Sequence, residues 1–288
     1  MSIFTKYKAF ITLGVFVAQF ASVLPAQSLA PSGTAKLIPH RAVYEMSMGE
    51  AKRSAGISGL RGRMVFEFSG SACEGYTLNM RLVTQIIDGR GQTTVSDLRS
   101  STWESGEGKR FRFNSSQYLN QRLKEATSGD ARRKKSQAID VKIQKPSRKK
   151  LELPEKVLFP TEHSLAVLRA AERGDKILQA PVYDGSENGQ KLYSTTAFIG
   201  KPTQNKNNKN LSAVENGGKL GGLTWWPVTI SYFDQKEKLQ TTPAYQIAFR
   251  LYSNGVSSDL KIEYEDFSMH GALKKIEILN TSDCDIKR

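Results

Sequence analysis

"AYQIAFRLYSNGVSSDLKIEYEDF", residues 244–267, reads as two strands and the turn between them. Tyr245, Ile247, Phe249 and Leu251 recur at every second position. After a glycine-bearing turn at 252–259 the same period returns, with Leu260, Ile262 and Tyr264 set against Lys261, Glu263 and Glu265. Successive side chains of a strand point to opposite faces, so a period of two places all of these apolar groups on one side. A helix would scatter them around its circumference. Each strand therefore has one face to bury and one to leave in water.

The pattern repeats outward along the chain. In "RMVFEFSG" (63–70) Met64, Phe66 and Phe68 oppose Arg63 and Glu67, and in "YTLNMRL" (76–82) Tyr76, Leu78, Met80 and Leu82 oppose Asn79 and Arg81. "GKRFRFNS" (108–115) sets Phe111 and Phe113 against Arg110 and Arg112. Turns with glycine, "ESGEGK" (104–109) and "YDGSENG" (183–189), separate such segments. About a dozen one-sided strands require a sheet that curls around its own contents. The expected fold is mainly β: one large curved antiparallel sheet with one principal α-helix, in a single domain over 31–288 with no internal repeat and no linker.

The helix is signalled in "FPTEHSLAVLRAAERGD" (159–175). Pro160 precedes Thr161 as the expected N-cap, Leu165, Leu168 and Ala171 form a stripe, and Arg173 followed by Gly174 ends it. It either fills the curved sheet or lies on its outside. "KPTQNKNNKNLSAVENGGKLGG" (201–222) reads as a polar loop with no core to bury.

The amino terminus, "MSIFTKYKAFITLGVFVAQFASVLPAQSLA", has Lys6 and Lys8, an apolar stretch, then small residues around Pro25. That is the layout of a secretory signal over 1–30, with cleavage after Ala30 or Ala26. It is too short, and too interrupted by Thr12 and Gln19, to span a bilayer in the folded product. No cysteine stands near the cleavage site for lipid attachment, so a soluble exported protein is expected. The chain has two cysteines, Cys73 and Cys284. An exported chain with an even count is expected to oxidise it, and one intramolecular pairing exists, worth roughly 5 kcal/mol at most in the chain-entropy model. Two buried free thiols are the other reading. A catalytic dithiol would want C-x-x-C spacing, which is absent.

The formal charge is +14, and +12 once Lys6 and Lys8 leave with the signal. Most of the excess lies in residues 122–150, where eleven bases face Glu125, Asp130 and Asp140. Arg132, Arg133, Lys134 and Lys135 in "DARRKK" (130–135) could meet anionic lipid head groups or an anionic envelope polymer. The plainer reading is a pair of solvated hairpin strands with a flexible basic turn. Nucleic acid is a poor partner, because the chain is exported and the run lacks interleaved aromatics.

Catalytic constellations do not form. His40, His163 and His270 show no H-E-x-x-H spacing, which points to no metal. "SRKK" (147–150) matches S-x-x-K without its companion elements, and "SGEGK" (105–109) fits a turn better than a phosphate loop. No cofactor and no enzymatic activity are expected. Trp225 and Trp226 are adjacent in "LTWWPVTISYF" (223–233), so in a strand their rings point to opposite sides. They are core and cover, or one of them lines a cavity for an acyl chain or apolar peptide.

Several stretches together resemble the EipB family of envelope integrity proteins of alphaproteobacteria. They are "PHRAVYEMSM" (39–48), "GSACEGYTLNMRLVT" (70–84), "SDLRSSTWESGEGKRFRF" (96–113), "LFPTEHSLAVLRAAERGD" (158–175), "VYDGSENGQKLYSTTAFIG" (182–200), "WPVTISYFD" (226–234) and "YQIAFRLYSNGVSSDLKIEYEDFSMHG" (245–271). The likeness runs over roughly 38–284, and its specificity rests on the order and number of motifs. It implies a periplasmic protein, a many-stranded β-spiral with a helix similar in shape to lipoprotein carriers, a disulfide at the positions of Cys73 and Cys284, and no established enzymatic activity. The "DARRKK" turn and the "QNKNNKN" loop (204–210) are departures, so no partner contact carries over to them. The expected function is a non-enzymatic periplasmic protein that supports envelope integrity by holding an apolar ligand (lipid, acyl chain or peptide) or a protein segment in its curved sheet. The alternative is an interaction scaffold docking on other periplasmic envelope proteins, or on anionic polymers, through the basic hairpin.

Overall fold

The alternation seen in sequence becomes one antiparallel sheet. The computed structural model describes residues 35–204, 209–236 and 241–280, so the 1–30 segment and Cys284 lie outside the described residues. The strands are β1 (His40–Ala51), β2 (Ile57–Ser71), β3 (Gly75–Asp88), β4 (Thr93–Glu104), β5 (Arg110–Leu119), β6 (Arg122–Arg133), β7 (Ile139–Lys145) and β8 (Lys149–Leu153). The helix α1 (Pro160–Arg173) follows, and then β9 (Ile177–Val182), β10 (Tyr193–Ile199), β11 (Thr203–Gln204), β12 (Thr224–Asp234), β13 (Tyr245–Tyr252), β14 (Ser257–Tyr264) and β15 (Phe267–Ile278).

Two meanders share the sheet. Across it the order is β8-β7-β6-β5-β4-β3-β2-β1-β15-β14-β13-β12-β10-β9, with the short β11 beside β12. The first and last strands thus meet in the middle, from His40 opposite Ile278 to Met48 opposite Met269. The two outermost strands, β8 and β9, form no ladder with each other. Leu158, just after β8, makes an isolated parallel bridge to Val182, its N–H donating to Pro181 O at 2.8 Å and its carbonyl accepting from Tyr183 N at 3.0 Å. The seam is stitched at one point and the sheet remains open.

The helix lies inside. Val167, Leu168, Ala170 and Ala171 pack in one core with Phe68 of β2 and with Trp226, Val228 and Ile230 of β12, strands far apart in the sheet order. That contact is what a sheet curled around α1 requires. A second core gathers Ala42, Tyr44, Met64, Met269 and Ile276 around the β1–β15 junction, and a third gathers Phe111, Phe113, Val141, Phe159 and Tyr183. The expected stripe is corrected in detail: Leu165 is only partly buried, and Val167 and Ala170 join Leu168 and Ala171 in the interior.

Two further expectations are corrected. The N-cap is Phe159, not Thr161, and helical geometry begins at Pro160. The cap acceptor comes from another strand: Glu104 of β4 accepts the N–H groups of Thr161 and Glu162 at 2.8 and 2.9 Å. A local Ser/Thr cap is therefore not needed. The 201–222 loop is not without a core contribution, since Leu220 is buried in the second core with Leu211 and Val214 against it. Glu215 lies alongside Lys275, accepting from Ile276 N at 3.0 Å. The reason is length. β14 pairs with β15 only over residues 268–271, which leaves the far half of β15 with an open edge for the loop to cover.

Leu168 has no exposed surface, whereas Leu123 at the β5–β6 hairpin is 55% exposed. Leu168→Ala should lower unfolding free energy by about 2–5 kcal/mol and Leu123→Ala by less than about 0.5, as read by chemical denaturation. Equal effects would mean that α1 does not anchor the interior.

Candidate functional site

On the inner face the side chains are apolar, but many are not fully buried. Phe66 of β2, Met80 and Leu82 of β3, Phe249 of β13 and Ile262 of β14 share that face by register, and each retains partial solvent access. α1 fills the part of the interior against Phe68, Trp226 and Val228. The rest of the concave face is lined by partly accessible apolar groups packed against the second core.

A row of aromatic rings edges this face. Tyr193, Tyr232, Tyr245, Tyr264 and Phe267 stand on neighbouring strands. Tyr193 meets Tyr232 edge-on at 5.8 Å, Tyr232 stacks on Tyr245 at 4.4 Å, and Tyr264 stacks on Phe267 at 4.9 Å. Burial pushes the hydroxyls of Tyr232, Tyr245 and Tyr264 up from the ordinary tyrosine value, so they stay protonated. The rings of Tyr232 and Tyr245 thus add aromatic surface to the interior with their hydroxyls withdrawn from water. The signal was present in the sequence, as tyrosines at inner-face positions of consecutive strands, but their alignment depends on register.

The two tryptophans divide as their adjacency requires. Trp226 is 6% exposed and packs beside α1 in the core. Trp225 is on the opposite face of β12, half-buried, with the Arg250 guanidinium 4.7 Å above its ring and with Leu220 and Leu223 of the covering loop nearby. This arrangement is a core ring and a covered ring.

The basic run is split between the two faces of β6 and its turn. Arg133 faces inward: Nη2 donates to Glu162 Oε2 at 2.7 Å, Nη1 to Val157 O at 3.1 Å and Nε to Gly108 O at 3.0 Å, with the guanidinium over the Phe159 ring. A cation so engaged is part of the interior and not a surface contact. Gly108, at φ +64°, sits so close that a Cβ would lie 2.1 Å from Glu162 Oε1. Lys134 pairs with Asp140 and Glu152 at 2.9 and 2.8 Å, Lys135 is exposed in the turn, and Arg132 points outward to Asp130 at 2.8 Å. "DARR" completes β6, and the turn proper begins at Lys134.

Glu104, missed in sequence because it stands in a turn-like stretch, anchors a buried polar knot at the start of α1. It is 3% exposed, and burial pushes its carboxyl up to about 7 despite the two helix N–H groups that favour the ionised form. Burial likewise raises Glu162, partly offset by the Phe159 N–H and by Arg133. His163 is held down to about 4 by burial. Its Nε2 lies 3.1 Å from Thr195 Oγ1, which spends its own proton on Ala180 O at 2.8 Å. The hydroxyl therefore accepts from the ring, which fixes a neutral Nε2–H tautomer. His40 stacks on Phe66 at 5.6 Å, and His270 is exposed on β15, so the three histidines do not converge. Among the described residues no three His, Cys, Asp or Glu side chains come together in a metal-binding group. Cys73 stands in the turn between β2 and β3.

The comparisons with known proteins agree with this architecture. A family model described as EipB-like matches residues 31–280. The cell envelope integrity protein EipB of Brucella abortus (strain 2308) is 38% identical over 268 residues, covering 93% of each chain. A crystal structure from Brucella abortus, described as a β-barrel-like protein of a domain of unknown function, matches with a TM-score of 0.79 and 38% identity, covering 85% of this chain and all of that one. The family resemblance read from the motifs and the mainly β fold are both borne out. No helix among the described residues is long and apolar enough to cross a membrane.

The polar knot has a pH signature. Glu104 titrates near 7 when folded against an ordinary 4.5, so the unfolded state sheds that proton first, and this residue costs stability as pH rises from 4.5 to 7. His163 acts oppositely, costing stability as pH falls from its ordinary 6.5 toward about 4. Thermal melts of wild type and Glu104→Gln between pH 4.5 and 8 should show the variant gaining relative to wild type as pH rises, by at most about 3 kcal/mol. A constant difference would mean that Glu104 does not titrate in this range.

Proposed function

The chain belongs to the EipB-like family, and from that membership we propose that it serves cell envelope integrity as a non-enzymatic periplasmic protein that holds an apolar ligand, an acyl chain or an apolar peptide segment, within its curved sheet. The observation that carries this reading is the set of inward-facing apolar side chains left partly accessible, Phe66, Met80, Leu82, Phe249 and Ile262 among them. Each Å² of such surface costs about 25 cal/mol while wet, and a guest chain would remove that cost. The tyrosine row supports it further, because its ring bodies can flank an apolar chain. Residues 1–30 read as an export signal, which supports a periplasmic location.

An oxidising compartment also supports a Cys73–Cys284 bridge, which would tie the β2–β3 turn to the carboxyl end beyond β15. Intact mass without reductant should fall two hydrogens short of the reduced chain, and Cys73→Ser should cost about 2–5 kcal/mol. An unchanged mass on reduction would remove the bridge.

For the ligand, titration with the fluorescent fatty acid cis-parinaric acid should show saturable binding. The paired change Phe249→Gln and Ile262→Gln should weaken it at least about tenfold. Leu123→Gln, at an exposed hairpin, should leave it unchanged. Absence of saturable binding to the delipidated protein would sink the proposal.

A further inference from the structure

The outer face of the sheet carries a second feature of opposite character. Arg110 and Arg112 of β5 and Arg132 of β6 converge on the single carboxylate of Asp130, with Nε contacts of 2.7, 3.6 and 2.8 Å. Burial pushes Asp130 up, but the hydrogen bonds and charges of Arg110 and Arg132 outweigh it and hold the group ionised. Lys142 and Lys145 of β7 complete a concavity of about 540 Å³ that contains five cations and one carboxylate. Each arginine meets Asp130 through Nε, so the guanidiniums are held in place while carrying further N–H donors.

The arrangement is repeated next door. Arg81 of β3 and Arg99 of β4 both grip Asp97, at 2.9 and 2.8 Å, and their hydrogen bonds hold that carboxyl down to about 2. They line a second concavity of about 420 Å³, and Asn114 lines both, so the two run together over β3 to β7. Aromatic rings lie under the cations, Tyr118 at 4.9 Å from Arg99 and Trp103 at 5.2 Å from Arg112. Between the arginine clusters the lining is neutral and hydrogen-bonding, with Asn79, Ser101, Asn114 and Ser116, and the one carboxylate of this concavity, Glu67, is paired with Arg41.

We propose that this outer tract binds a linear acidic polysaccharide, its carboxylates or phosphates meeting the two arginine clusters and its hydroxyls meeting the Asn and Ser floor. Four residues along β4 separate Arg99 from Trp103, beneath Arg112, or roughly 13 Å of strand. That spacing suits repeated charges on one chain better than one small ion. Guanidiniums supply the paired donors that carboxylate and phosphate oxygens accept. Of the four cations expected from the sequence to make an anionic contact, only Arg132 belongs to this tract. The tract is on the opposite face from the apolar interior, so the two proposals fail or stand separately.

The test is fluorescence anisotropy of a labelled oligogalacturonate, with a neutral dextran fragment of equal length as control. Binding should be absent for dextran and should fall as salt screens the charges. It should weaken about tenfold in Arg112→Gln/Arg132→Gln and in Lys142→Gln/Lys145→Gln. The lysine pair makes none of the ion pairs seen among the described residues, so a loss there reports the tract and not unfolding. The proposal is overturned by no binding at low salt, by both variants binding as tightly as the wild type, or by binding to phosphatidylglycerol vesicles without competition from oligogalacturonate, which would assign the tract to a bilayer surface.

Discussion

The pairing of β1 with β15 is the constraint on which the rest depends. Each meander alone, β1 to β8 and β9 to β15, is built from strands that follow one another in the chain, so most of their contacts are local. Joining them places residue 40 against residue 278 and makes one continuous sheet from the two ends of the chain. That junction is also where the second core lies, with Tyr44 beside Leu273 in register and Met64 beyond on β2. The covering loop serves the same place, since the short β14 leaves one edge of the far half of β15 open and Glu215 and Leu220 close over it. The entropy of closing so long a loop has to be met by apolar burial at the junction.

A sheet of this width must bury its inner face, and α1 supplies part of the filling. The helix is held by chemistry at its start as well as by its stripe. Glu104 takes two of the N–H groups that a helix leaves unpaired, and Glu162 and Arg133 link that end to the β4–β5 turn and to the segment stitched to β9. A carboxylate at a helix N-terminus is favoured by the orientation of the peptide dipoles. Its burial sets the opposing cost, and the balance leaves Glu104 poised near neutrality. Helix, seam and strand ends are thereby one polar unit inside an apolar shell.

The two faces of the sheet are suited to different chemistry. Inside, aromatic and aliphatic groups with partial access lie beside the part of the face that α1 covers. Outside, arginines gather around single aspartates, which keeps the sites cationic while preventing the like charges from dispersing them. The strict alternation of a strand lets one stretch such as "GKRFRFNS" contribute to both faces.

What the sequence by itself determined is the period-two pattern, and with it the fold class, the inner and outer allegiance of Phe66, Leu78, Phe111 or Arg112, and the existence of α1 ending at Gly174. These follow from local geometry, because a strand or helix sorts its side chains without knowing its neighbours. The order of motifs was enough to identify the family. Only the tertiary structure decided what lies across from what: that Arg133 turns inward to Glu162 while Arg132 joins Arg110 at Asp130, that Glu104 and not Thr161 caps the helix, and that four tyrosines fall in one row. Each depends on the register of strands distant in the chain, and a shift of one residue would send every one of those groups to the other face.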